Sequence, residues 1–150
     1  MSFDPRALVA AVAASGARYA IIGGVAVGLH GNPRTTFDVD VIIPDELEDR
    51  RLIVDSLSDQ LDDPAVARRW IEAGGNMRLE TSMGVLDVLE EDIGELSWDS
   101  VESDLVSRVT EDGTTIAVSG LKTLAALKRL ADRPVDRADL AALEEIHGKL

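Results

Sequence analysis

Residues 19–44 read YAIIGGVAVGLHGNPRTTFDVDVIIP, and the reading of this stretch decides the fold. The apolar run 19–22 predicts a strand that ends on Gly23-Gly24, and residues 25–29 predict a short apolar helix. A turn at Gly31-Asn32-Pro33 returns the chain to a second strand carrying Asp38-Val39-Asp40-Val41. Side chains alternate along a strand, so Asp38 and Asp40 share one face while Phe37, Val39 and Val41 take the other. Two carboxylates roughly 6–7 Å apart along a strand repel each other unless a cation sits between them.

Working outward, the N-terminal residues 5–15 predict a helix with Asp4 as N-cap, Pro5 at its first position and Gly16 closing it. The small, apolar run 7–17 has the look of a signal-peptide core, but its leader MSFDPR sets an acid beside its one arginine, and the plain helix is preferred. After the carboxylate strand, Asp45 and Glu48 form a capping-box pattern for a helix reaching residue 61, with Leu47, Val54, Leu57 and Leu61 on one face. Asp63-Pro64 opens another helix that stops at Gly74-Gly75. A β-hairpin follows, with arms 77–81 and 85–89; Asp87 is the one acid in its second arm and must face solvent, a cation or a metal. Residues 90–113 are acidic and poorly patterned, with a short strand expected near 105–109. Residues 114–118 predict a strand, Ser119 the cap of a helix over 121–131, and Asp136 the cap of a last helix after Pro134.

Composition sets the outer limits. The chain has 150 residues, no cysteine and a net charge of −13, which fits one domain spanning 1–150 and excludes disulfides and thiolate metal sites. The charge is uneven: residues 38–112 hold 22 acidic and six basic side chains. Such a surface repels nucleic-acid backbone, so broad DNA binding is not expected. The apolar run at 19–29 is too short for a membrane span, which takes about 20 residues, and a cytoplasmic location is expected. The fold class that follows is α/β (α+β): a mixed sheet flanked by helices, with further helices at the C-terminal end.

Two chemical features coincide within this frame. Gly23 and Gly24 let backbone N–H groups approach a phosphate where a helix begins. The Asp38/Asp40 pair suits Mg²⁺, which takes carboxylate and phosphate oxygens. Together they point to nucleotide chemistry.

The residues resemble the nucleotidyltransferase superfamily related to DNA polymerase β, in which a G-[GS] pair precedes a D-h-[DE]-h strand, here Gly23-Gly24 and Asp38-Val39-Asp40-Val41. More narrowly, G-G-V-A…H-G-N-P-R-T-T-F-D-V-D resembles the AbiEii-type branch linked to toxin–antitoxin and abortive-infection systems, as do Leu86-Asp87-Val88 and the segment from Leu127-Lys128 to Asp139-Leu140. The chain departs from many superfamily members in carrying Gly24 where they carry serine. The resemblance implies a nucleotidyltransferase-like fold and transfer of a nucleoside monophosphate from an NTP to a hydroxyl. It implies two Mg²⁺ ions, replaceable by Mn²⁺, held by Asp38, Asp40 and Asp87, with Asp87 helping to deprotonate the acceptor. Gly23 and Gly24 would take phosphates. Arg34 and Lys128 would serve the nucleotide, each weighed against a plain solvated role. His30, Trp70 and Trp98 read as packing residues, and Asp136 and Asp139 as helix-start acids. The acceptor stays open between an RNA end, a protein and a small molecule, and a protein partner is envisaged. The rival readings are a non-catalytic, antitoxin-like partner-binding protein and an NTP sensor on the same fold.

Overall fold

A computed structural model describes residues 3–33, 35–90 and 96–150. The described residues build a mixed six-stranded sheet with seven helices. In chain order the elements are α1 (Pro5–Ala14), β1 (Ala20–Ile22), α2 (Gly23–Leu29), β2 (Asp38–Ile43), α3 (Leu47–Ser56), α4 (Pro64–Ala73), β3 (Met77–Thr81) and β4 (Gly84–Glu90). Then come α5 (Trp98–Ser103), β5 (Val106–Val109), β6 (Thr115–Val118), α6 (Leu121–Ala131) and α7 (Pro134–His147). The spatial order of strands is β3-β4-β2-β1-β6-β5. β2 runs parallel to β4 and β1 parallel to β6, while β1/β2, β3/β4 and β5/β6 are antiparallel.

Alternation along the strands divides the core. Val39, Val41, Leu86 and Val88 pack with Leu8 and Val12 of α1, Ile53 of α3 and Trp70 of α4. On the opposite face Ala20, Ile22 and Ile42 pack against Trp98 and Val101 of α5, with Leu127 of α6 alongside. Phe37 falls outside the expected alternation. It precedes the first residue of β2 and is 80% exposed.

Two helices start as the sequence predicts: the Asp4 and Asp63 side chains accept from the Ala7 and Val66 backbone N–H, with proline at the first helical position. Three starts before α7 are different. α2 begins at Gly23 itself, so the glycine pair forms its first turn. α3 begins at Leu47 behind Glu46 and stops at Ser56; Asp45 accepts from the buried Arg50 at 2.9 Å instead of capping. At α6 the cap position is Gly120, not Ser119, and the capping oxygen comes from Asp104, which accepts from Thr123 N–H at 2.7 Å. A side chain on Gly120 would run into Asp104, so that close approach demands glycine. The helix α5 lies in the segment whose sequence shows no clear pattern.

Candidate active site

The site starts from register. β2 and β4 are parallel neighbours with Asp40 opposite Asp87 and Asp38 opposite Val85. The two aspartates of β2 point to one face, and Asp87, on the same face of β4, joins them. One carboxylate oxygen from each of Asp38, Asp40 and Asp87 lies within 4.8 Å of the other two. Thr36 steadies the entry to β2 by donating to the Asp38 carbonyl at 3.0 Å.

This crowding is electrostatically costly. Burial, then the neighbouring charges of Asp38 and Asp87, push the Asp40 carboxyl up to about 7, against a smaller pull downward from Lys128. Burial and the Asp87 carboxyl likewise raise Asp38. A cluster that resists its own negative charge is one that a cation relieves. Three hard oxygen donors, with no imidazole or thiolate among them, fit Mg²⁺ or Mn²⁺.

Gly23 is what lets α2 start against this cluster. Its φ is +67°, and a β-carbon there would collide with the Asp40 carboxylate. Beside it opens a cleft of about 310 Å³ between the sheet and the C-terminal helices, lined by Ile22, Gly23, Asp40, Leu127, Lys128 and Arg133 among others. Gly24, one residue on, is buried. Arg34 lies outside the described residues.

Lys128 reaches this cleft from α6, but it is not the solvated lysine that its neighbour Arg129 suggests. It is 6% exposed and donates to Asp136 at 3.2 Å and Asp139 at 2.9 Å. Asp136 is therefore not the N-cap of α7. Arg133 holds that position, and Asp136 sits in the first turn, accepting from the Arg133 backbone N–H at 3.1 Å and from its guanidinium. Burial alone would raise the Asp136 carboxyl, but hydrogen bonds from Arg133 and Lys128 outweigh it and hold it down to about 2. The pair Asp136/Asp139 thus fixes the lysine that borders the cleft.

His30 is a packing residue: buried at the end of α2, its Nε2 donates to the Ser119 carbonyl at 2.7 Å. Trp70 and Trp98 are in the core. Sequence reasoning missed Arg78. From β3, opposite Asp87, its Nε donates to Asp87 at 3.0 Å and its Nη2 lies 3.5 Å from Asp38. The expected arms 77–81 and 85–89 leave a three-residue turn that would set residue 78 opposite residue 88. The turn is instead the two residues Ser82-Met83, with Thr81 opposite Gly84, which sets Arg78 opposite Asp87.

Neither protein-family models nor curated proteins give a match to this chain. Solved structures do. A "putative nucleotidyltransferase" from Thermotoga maritima superposes with a TM-score of 0.58 at 13% identity, over 85% of this chain and 84% of the other. ANT(2″)-Ia, in complex with adenylyl-2″-tobramycin, gives 0.57 at 15% identity, over 93% of this chain and 84% of the other. The mixed sheet that brings Asp38, Asp40 and Asp87 together is therefore arranged in a nucleotidyltransferase-like fold.

Proposed function

We propose that the chain is a divalent-cation-dependent nucleotidyltransferase, moving a nucleoside monophosphate from an NTP to a hydroxyl. The observation that carries this is the Asp38/Asp40/Asp87 cluster, whose Asp40 lines a cleft that Gly23 and Lys128 also line. Asp38, Asp40 and Asp87 would hold Mg²⁺, expected as two ions and replaceable by Mn²⁺. Bound there, the ions would stabilise charge on the attacking and leaving oxygens. Asp87 accepts the acceptor's proton. The start of α2 at Gly23 and Gly24 takes phosphate oxygens, and Lys128, already fixed by Asp136 and Asp139, adds positive charge to the cleft. Arg34 is assigned to the nucleotide on the residue resemblance alone.

The acceptor is an RNA end, a protein or a small molecule. The presence of a nucleotidylated tobramycin on one fold neighbour makes a small hydroxyl compound the first class to try. Membership of the AbiEii-type branch, a role in a toxin–antitoxin or abortive-infection system, a protein partner and a cytoplasmic location extend the proposal from the resemblance of the motifs. So does the reading of residues 1–150 as one domain. No described helix is long and apolar enough to cross a membrane.

The test is transfer of label from α-labelled NTPs with Mg²⁺ to a panel of the three acceptor classes. Wild type labels one class, and Asp38→Asn and Asp40→Asn lose the transfer while keeping their circular dichroism. Undiminished transfer in either variant overturns the assignment.

A further inference from the structure

Arg78 contributes nothing to the core, yet it is placed with care. It stands on β3, the edge strand of the sheet, directly opposite Asp87. Its guanidinium is bidentate on that carboxylate, with Nε to Oδ1 at 3.0 Å and Nη2 to Oδ2 at 3.2 Å, and Nη2 also lies 3.5 Å from Asp38 Oδ2. The planar fork matches a carboxylate better than any other cation in the chain's repertoire. Asp40 is left out of this contact and faces Gly23 and the cleft. The cluster is thus divided: two carboxylates are engaged by a guanidinium, and the third is engaged by none of its atoms within ion-pair distance among the described residues.

We propose that Arg78 is a built-in counter-cation that competes with the divalent cation for Asp38 and Asp87, and so sets the affinity of the site for metal. This rests on the metal-binding reading given above. The guanidinium engages the same two carboxylates that a metal would use, and the two positive charges repel, so binding of one requires release of the other. Release is feasible. The Arg78 side chain is 60% exposed on an edge strand and has solvent to swing into. Exposed pairs of this kind are weak, so the competition should shift metal affinity by about two- to fivefold.

The experiment is a Mn²⁺ titration of the full chain followed by the electron paramagnetic resonance signal of the free ion, a readout independent of turnover. Wild type, Arg78→Gln and Arg78→Lys are compared, with circular dichroism confirming that each is folded. The Arg78→Gln chain is expected to bind Mn²⁺ about two- to fivefold more tightly than wild type. Arg78→Lys keeps the charge but loses the bidentate fork, and is expected to fall between wild type and Arg78→Gln. Equal or weaker binding by Arg78→Gln overturns the role given to Arg78. Failure of all three chains to bind Mn²⁺ overturns the metal reading itself, and the competition with it.

Discussion

The Asp40 carboxylate occupies the space that a side chain on Gly23 would need. The first turn of α2 and the centre of β2 therefore fit only because residue 23 has no β-carbon, and because glycine tolerates its φ of +67°. One position serves both the backbone turn and the placing of an acid.

Gly23→Ala should accordingly do two things. The left-handed backbone and the overlap with Asp40 should cost about 2 kcal/mol or more, lowering Tm by roughly 4–8 °C in a domain of this size. Displacement of Asp40 should also remove any metal-dependent response. Thermal unfolding with and without Mn²⁺ checks both effects.

The crowded acids make a prediction about pH. Asp40 titrates near 7 in the folded chain, against about 3.9 in an unfolded one. Between these values the folded state holds the extra proton, so stability without metal falls as pH rises from about 4 to 7, then levels off. Asp40→Asn removes the charge and should flatten that fall, leaving the variant more stable than wild type at pH 8. Chemical denaturation across pH 4–8 in the presence of a chelator measures it.

Asp136 makes the opposite prediction. Its folded value is near 2, below the ordinary carboxylate range, so its contribution is complete above about pH 4 and is lost as pH falls towards 2. Removing Lys128, its buried partner, is harsher. Lys128→Met leaves Asp136 and Asp139 facing each other without that cation and should cost about 3–5 kcal/mol. Urea titration gives both the pH dependence and the loss.

A milder effect is expected at α6. Asp104→Ala removes the oxygen that accepts from Thr123 N–H, and the lost cap should cost about 1 kcal/mol, or roughly 2–4 °C in Tm. Ser119→Ala, at the position that the sequence alone suggests, should not remove that cap.

These contrasts show where the sequence was readable. Helix starts built from adjacent residues, such as Asp4-Pro5 and Asp63-Pro64, were legible because the donor and acceptor are three residues apart. The carboxylate strand and the β3–β4 hairpin were legible because alternation and a tight turn are local patterns. The Asp104 cap was not, since it reaches 19 residues along the chain to Thr123. Lys128 looks solvated beside Arg129 until α7 folds back to bring Asp136 and Asp139 over it. The nearness of Asp87 to Asp40 needed the parallel pairing of β2 with β4, which no local pattern specifies. Arg78 was missed because the expected arms 77–81 and 85–89 put the hairpin one residue out of register, setting it opposite residue 88 and not Asp87.

The central claim, a nucleotide site built on Asp38, Asp40 and Asp87, is tested most directly by thermal unfolding with each NTP, with and without Mg²⁺, on wild type and Asp40→Asn. Ligand at 100 times its Kd adds about 2.7 kcal/mol, which for a chain of this size is roughly 5–10 °C. The account predicts a Mg²⁺-dependent rise of that order with at least one NTP in wild type and none in Asp40→Asn. A wild-type Tm unmoved by every NTP, or an equal rise in the variant, would contradict it.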